Sequence, residues 1–194
     1  MFIIALDYLL EMAPDSPQAS RWKSLREGIE RNVRAHLWDV KRQKFIPHIY
    51  PEKSPIPEGF DELAIHYHGG TAIAIEAGLL SKDEIRTVNA QMLENVRLSG
   101  MPSIGLTLYP VYPDGFFHGG MSKAYLYQNG GDWTWFGGRM IQQLVVNGMV
   151  EEAYAEIHPM IERVIQNDGF YEWYGKGGVP SGSGHFKGSA GVLS

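Results

Sequence analysis

The chain has 194 residues, of which 44% are hydrophobic, and this is enough for a buried core in one domain spanning residues 1–194. The formal charge is −5, from 17 basic and 22 acidic residues. Nucleic acids and anionic membranes bind clustered basic side chains, so this composition disfavours both as partners. The absence of cysteine excludes disulfides and thiol catalysis, and it leaves the cellular compartment open.

The opening segment, MFIIALDYLLEMA, is apolar at helical spacing, but Asp7 and Glu11 interrupt it and no basic residues precede it. It therefore predicts a packed helix at residues 2–12 rather than a signal peptide or a membrane span. A second helix is predicted at residues 18–38, after a turn that contains two prolines.

The hydrophobic period predicts two more helix pairs, at residues 70–79 with 82–98 and at residues 133–147 with 151–166. Ser81 and Glu84 match a capping box at the start of one of these helices. A seventh helix is predicted to begin near Lys187. In the helix at residues 151–166, seven apolar side chains share one face: Ala153, Tyr154, Ile157, Met160, Ile161, Val164 and Ile165.

Long segments rich in Gly, Pro, His and aromatic residues separate the helix pairs, at residues 40–68, 99–131 and 167–186. Loops of this length are uncommon in compact domains unless they build a site. Alternating residues predict short strands or hairpins at 41–50 and 104–109. This pattern favours an all-α toroid of antiparallel helix pairs whose long loops line a pocket. A repeat solenoid is the alternative, but it requires loops of similar length.

Residues 126–139, LYQNGGDWTWFGGR, place polar and aromatic side chains at a predicted helix start. Asp132 is expected either to cap this helix or to bind a sugar hydroxyl, with Trp133 or Trp135 as the stacking platform. Three further side chains are expected on the same wall: Tyr127, Gln128 and Asn129. The two amides could instead satisfy only backbone groups of the turn.

Residues 66–70, HYHGG, place His66 and His68 on the same side of a predicted strand, which is a possible metal-binding pattern. No other His or Cys follows at ligand spacing, although Asp61 and Glu62 are near. We therefore expect these histidines to bind sugar hydroxyls or to pack within the loop, and we expect no metal and no cofactor.

Residues 168–184, DGFYEWYGKGGVPSGSG, place one carboxylate, Glu172, among the rings of Tyr171, Trp173 and Tyr174. Sugars stack their apolar C–H faces on such rings, and a neighbouring carboxylate can activate water for attack at an anomeric carbon. The alternative is that Glu172 is solvated or caps backbone amides in a glycine-rich turn.

Three stretches, at residues 36–48, 126–139 and 170–191, resemble the six-hairpin glycosidases. This group of inverting (α/α)6-barrel enzymes includes glucoamylases, trehalases, neutral invertases and processing α-glucosidases. The resemblance implies a partial barrel of about three helical hairpins plus the start of another, with short β-hairpins in the long loops. In this group the catalytic base precedes the twelfth helix, a position that Glu172 matches. The chain would then be the C-terminal half of the barrel.

The resemblance implies an inverting glycoside hydrolase that acts on an α-linked glucoside or a related hexoside. Glu172 would be the general base, Trp173 and Tyr174 would contact the substrate, and the general acid would lie upstream of Met1. The chain would then need the N-terminal half of the barrel. Alternatives are a glycoside phosphorylase, which in this group uses no carboxylate base, a sugar epimerase, or a carbohydrate-binding fragment without activity.

Overall fold

The computed structural model describes residues 1–193, and in it pairs of helices alternate with long connections. The helices are α1 (Phe2–Met12), α2 (Ala19–Leu37), α3 (His68–Glu76), α4 (Lys82–Ser99), α5 (Thr134–Val146), α6 (Val150–Gln166) and α7 (Lys187–Gly191). Helix α1 packs on α2, α3 packs on α5, and α5 also contacts α6 and α7. The predicted helices are thus confirmed, with shifted ends.

The helix ends differ from the predictions where local backbone geometry overrides the hydrophobic period. Helix α3 begins two residues earlier than predicted and ends at Glu76, and Gly78 follows in the left-handed region, with φ of 68°. Trp38 does not continue α2 but enters a strand. The capping box is confirmed, because the Glu84 N–H donates to Ser81 Oγ at 3.3 Å and the Ser81 N–H donates to Glu84 Oε2 at 2.9 Å.

The buried face of α6 differs from the predicted apolar face. Tyr154, Ile161 and Ile165 are 70%, 41% and 73% exposed, so three positions of the predicted face do not pack in the core. The buried residues of the helix are Ala153, Glu156, Met160 and Arg163, and two of them, Glu156 and Arg163, are charged. The two charged side chains find buried polar partners on other segments, and this turns the packed face away from the apolar stripe.

Three short antiparallel pairs of strands lie in the connections. They are β1 (Trp38–Asp39) with β2 (Lys44–Phe45), β3 (His66–Tyr67) with β4 (Leu108–Tyr109), and β5 (Trp173–Tyr174) with β6 (Pro180–Ser181). The β3–β4 pair joins the connection before α3 to the connection before α5. Because α3, α5 and α7 lie side by side, their three preceding connections meet at one end of the helix layer.

The main core lies between α3 and α5 and the helices that follow each of them, α4 and α6. Its largest side chains include Trp38, Met92, Met140 and Met160, all nearly inaccessible to solvent. Among residues 1–193, no helix is both long and apolar enough to cross a membrane.

Candidate active site

The segment that carries Asp132 is the centre of the three connections. The backbone N–H and carbonyl of Asp132 pair with Tyr174 at 2.9 and 2.8 Å, and the Trp133 N–H donates to the carbonyl of Gly105 at 2.7 Å. A side chain at position 105 would lie 2.2 Å from Asp132 Oδ1, so this close approach requires glycine. The backbone pairing therefore joins the connections before α5 and α7.

The Asp132 carboxylate is fully enclosed, which corrects both roles that the sequence suggested for it. Arg163 Nη1 lies 2.8 Å from Asp132 Oδ1, and the Ser103 hydroxyl donates to Oδ2 at 2.7 Å. The N-cap position of α5 is Trp133, without a side-chain cap. Since Asp132 is 0% exposed, its carboxylate anchors the connections in this structure and has no surface to offer a sugar hydroxyl.

Glu172 lies in the connection between α6 and α7, immediately before β5, and is partly buried. Its N–H donates to the carbonyl of Ser183 at 2.9 Å, and the Ser183 N–H approaches Glu172 Oε2 at 3.4 Å. The carboxylate rests on Gly182, whose φ is 71° and where a Cβ would lie 2.4 Å from Oε2. Glu172 therefore has one long backbone contact of the capping kind and otherwise keeps its carboxylate available.

A wall of aromatic rings includes Trp173, the residue that follows Glu172 and begins β5. The Tyr127 ring lies 4.9 Å from the Trp133 ring and 6.2 Å from the Trp173 ring, and Phe186 packs edge-on against Trp133 at 6.1 Å. Trp133 is only 6% exposed and its Nε1 donates to the Tyr127 carbonyl. Trp173 and Tyr127 are partly exposed, so they form the accessible part of the wall.

Three other predicted sugar-binding residues have different surroundings. Tyr174 is 0% exposed and its ring lies under the Arg163 guanidinium, with 4.0 Å from Cζ to the ring centroid. Asn129 is also fully buried and clamps the loop by bonding the backbone N–H and carbonyl of Tyr112 at 2.9 and 3.1 Å. Gln128 is exposed at the loop tip. Asn129 therefore satisfies backbone groups of Tyr112, 17 residues away, and not only those of its own turn.

Trp135 lies on the first turn of α5 and is partly exposed. The Arg139 guanidinium lies over its ring at 4.7 Å and also pairs with Glu76 of α3 at 2.5 Å. Trp135 also adjoins the start of α7, since a Cβ on Gly188 would lie 3.2 Å from its ring. The structure therefore places Trp135 between α3 and α7, next to the ring wall.

The two histidines of the HYHGG motif face α4, and not the connection that carries Glu172. His68 is 1% exposed, and Asn95 of α4 is 3.1 Å from its Nε2. Burial lowers the pKa of His68 to about 3 and that of His66 to about 4, so both rings are neutral near pH 7. His66 lines an open cleft of about 630 Å³ along α4.

A second carboxylate, Glu62, forms a polar centre that the sequence did not single out as a site. Its Oε1 accepts hydrogen bonds from Tyr50 and Tyr112 hydroxyls at 2.8 and 2.7 Å and from His48 Nδ1 at 2.7 Å. Burial raises the pKa of Glu62, but these hydrogen bonds outweigh it, and the pKa falls below its usual value. No periodic pattern marks Glu62, because its partners come from two different connections.

The chain matches no protein-family model and no curated protein sequence. It does match solved structures of a GH63 mannosylglycerate hydrolase from Thermus thermophilus, one in complex with Tris and D-glycerate and one in complex with glucose. In both cases the TM-score is 0.67 at 18% sequence identity. An uncharacterized conserved protein from the same organism gives the same two values.

The chain shares the (α/α)6 fold of these matched structures. The matches cover 97%, 96% and 96% of this chain, but only 41%, 41% and 40% of the solved chains. This chain therefore spans about two fifths of the length of the structures it matches. The comparison confirms the (α/α)6 architecture that the sequence motifs predicted.

Within this fold, the site residues predicted from the sequence separate into two groups. The accessible group lies in the connections before α5 and α7 and at the start of α5: Tyr127, Gln128, Trp135, Glu172 and Trp173. The enclosed group holds the connections together: Asn129, Asp132, Trp133 and Tyr174. His66 and His68 belong to neither group, because both contact α4.

Proposed function

We propose that this chain is the C-terminal part of an inverting glycoside hydrolase, with Glu172 as the general base. The observation that carries the proposal is the position of Glu172: on a six-hairpin fold, it lies in the connection before α7 and directly precedes Trp173, whose ring belongs to the Tyr127–Trp173 wall. The general acid comes from the part of the barrel that precedes α1. The substrate is an α-linked glucoside or a related hexoside.

Inversion requires a carboxylate that removes a proton from water while a carboxylic acid on the opposite side protonates the leaving oxygen. The two groups stand roughly 6.5–9.5 Å apart so that the water fits between the base and the sugar. Glu172 suits the base, because its one side-chain contact, to the Ser183 N–H, is long at 3.4 Å and leaves lone pairs for a water molecule.

The accessible rings supply the sugar contacts in this proposal. Trp173, the residue after Glu172, and Tyr127 offer partly exposed aromatic faces, and Trp135 offers another at the start of α5. Trp133 and Tyr174 lie behind them as buried supports, so we assign them a structural role. The matched hydrolase structures contain glucose and D-glycerate, which supports a hydroxylated substrate for this fold.

Three other functions remain consistent with the same fold: a glycoside phosphorylase, a sugar epimerase and a carbohydrate-binding fragment. An available carboxylate in the connection before α7 favours hydrolysis over phosphorolysis, since a phosphate nucleophile already carries its charge and needs no base. A binding fragment predicts sugar affinity with no turnover, whatever residue stands at position 172.

The test replaces Glu172 by Gln in a polypeptide that contains the complete toroid. We expect hydrolysis to fall at least a hundredfold while substrate binding persists, because the amide keeps the shape of the side chain but cannot take the proton. Glu58→Gln, in an exposed part of the connection before α3, is the matched control and should stay within twofold of the parent.

Two results would contradict the proposal. Turnover of Glu172→Gln above a tenth of the parent rate would exclude Glu172 as the base. NMR observation of the first-formed anomer should show inversion, and a product with the anomeric configuration of the substrate would exclude the mechanism.

A further inference from the structure

A cleft of about 410 Å³ opens between α2, the β1–β2 hairpin and the start of α3. This volume lies in the range of small-molecule pockets, roughly 300–1,000 Å³. Most of its wall is apolar, formed by Val33, Leu37, Phe45, Ile46, Pro47 and Ala74. Its polar groups are His48, Tyr67 and Thr71. Tyr67 directly precedes α3, Thr71 lies in the first turn of that helix, and His48 lies in the connection after β2. The cleft shares no lining residue with the connection that carries Glu172.

The hydrogen-bond network behind this cleft determines which ring nitrogen of His48 carries the proton. The hydrogen bonds from Tyr112, His48 and Tyr50 bring the pKa of Glu62 below its usual value, so its carboxylate is ionised and can only accept. His48 Nδ1, 2.7 Å from Glu62 Oε1, must therefore be the donor. In the neutral imidazole the other nitrogen, Nε2, then carries a lone pair, and among residues 1–193 it has no hydrogen-bond partner.

The hydroxyl proton of Tyr67 is also committed to a hydrogen bond within the chain. The Tyr112 hydroxyl uses its proton on Glu62, at 2.7 Å, so it can only accept at its contact with Tyr67, at 3.0 Å. Tyr67 therefore donates its own proton to Tyr112 and keeps only lone pairs. The Thr71 hydroxyl is likewise committed, because it donates to the Tyr67 carbonyl at 2.7 Å. The polar groups of the cleft are thus acceptors, and they call for a ligand that donates.

We propose that this cleft is a second binding site for a hydroxylated small molecule of monosaccharide size, which donates a hydroxyl to His48 Nε2. The apolar wall suits the C–H face of a sugar ring, and the acceptors suit its hydroxyl groups. His48 is well placed to respond, because its side chain is 45% exposed while Glu62 holds it from behind. This site does not depend on the role of Glu172.

A competing occupant is the chain itself. A smaller groove of about 220 Å³, lined by Met1 and Phe2, adjoins the cleft and shares three of its residues: Val33, Gly70 and Ala74. A segment preceding Met1 could therefore run across the cleft, and the experiment has to separate these two occupants.

The experiment follows the imidazole nitrogens of the 194-residue chain by NMR during a titration with D-glucose. We expect a saturable shift of the His48 Nε2 signal, because a hydroxyl proton binds its lone pair, and no shift of His158, which is on α6 and 61% exposed. His48→Phe keeps the ring contacts with Tyr50 and Tyr67 but removes the acceptor, and should weaken glucose binding at least tenfold. His158→Phe should leave binding within twofold.

Three outcomes would overturn the proposal. The first is a His48 signal that stays unchanged, or that moves only in parallel with His158. The second is a response to methylammonium but not to glucose, which would indicate a cation site. The third is loss of the glucose response in a polypeptide extended before Met1, which would show that the preceding segment fills the cleft. Glu172→Gln should leave the His48 response intact, so this test is independent of hydrolysis.

Discussion

Asp132 and Arg163 form an ion pair whose side chains are 0% and 6% exposed. Removing two charges from water costs several kcal/mol per ion, and only close partners offset that cost. Here Ser103 donates to Asp132, Arg163 donates to Thr134 at 2.8 Å, and the guanidinium rests on the Tyr174 ring. The pair thus holds together the segments on which the candidate site is built.

Asp132→Asn should be strongly destabilising, because it leaves the Arg163 charge buried without its counter-ion. We expect a loss of about 3–5 kcal/mol in the free energy of unfolding, measured by urea titration. The matched control is Asp83→Asn, which removes an exposed pair with Arg86 and should cost at most about 1 kcal/mol. Equal losses in the two variants would show that the buried ion pair contributes no more to the free energy of unfolding than the exposed one.

Glu156 should make stability depend on pH. Burial between α4 and α6 raises the pKa of Glu156, and the nearby charge of Glu152 raises it further. A hydrogen bond from Asn89 lowers the pKa, but the net result is a pKa of about 7. The folded state therefore binds the proton more tightly than the unfolded state. The stability that this proton contributes is complete below the usual pKa of 4.5 and is lost as the pH rises through about 7.

Glu156→Gln tests this pH dependence, since the amide stays neutral at every pH. The variant should gain stability relative to the parent as the pH rises from about 5 to about 8, by up to about 3 kcal/mol. Urea titrations at both pH values give the measurement, and Glu162→Gln, on the exposed side of α6, is the control. A pH-independent difference between parent and Glu156→Gln would refute the shift.

At the scale of one element, the β5–β6 hairpin controls the position of Glu172. Gly182 follows β6 with φ of 71°, and a Cβ there would lie 2.4 Å from Glu172 Oε2 and 2.7 Å from its Cβ. An alanine at this position must therefore displace the carboxylate or the hairpin. Gly177, in the same connection, has φ of 70° but has nothing within 4 Å of a built Cβ.

Gly182→Ala and Gly177→Ala form a matched pair, because the backbone strain is the same and only the contact with Glu172 differs. In a polypeptide with the complete toroid, Gly182→Ala should lower kcat at least tenfold, whereas Gly177→Ala should stay within threefold. Steady-state hydrolysis measures both. Similar losses in the two variants would mean that strain, and not the displacement of Glu172, limits the rate.

At the scale of the whole molecule, one side of α1 is uncovered. Helix α1 packs mainly on α2, and Phe2, Tyr8 and Met12 are 60%, 57% and 74% exposed. Such a row of apolar side chains marks a surface that packs against another element. The proposed function names that element as the N-terminal half of the barrel.

The 194-residue chain should therefore self-associate through α1. Sedimentation velocity should show concentration-dependent association in the parent and at least a fivefold weaker association in the double variant Phe2→Lys with Met12→Lys. Val179→Lys, at a 59% exposed position in the Glu172 connection, should associate as the parent does. A parent chain that stays monomeric at high concentration would argue against an unpartnered α1 face.

The positions of the helices were predictable because helix formation is governed by local patterns. The 3.6-residue period located every helix to within about three residues, and the Ser81–Glu84 capping box was correct to the atom. The aromatic and acidic composition of residues 168–184 likewise predicts Glu172 as a site residue from sequence alone. These signals lie in neighbouring residues and need no tertiary contact.

The tertiary structure decided which side chains are accessible and which are enclosed. Asp132 and Glu172 look alike in sequence, each a carboxylate among aromatic residues, yet Arg163 and Ser103 enclose the first while the second keeps one long contact. Their partners come from distant segments that only helix packing brings together. Burial depends on that packing, and a linear pattern of residue types does not contain it.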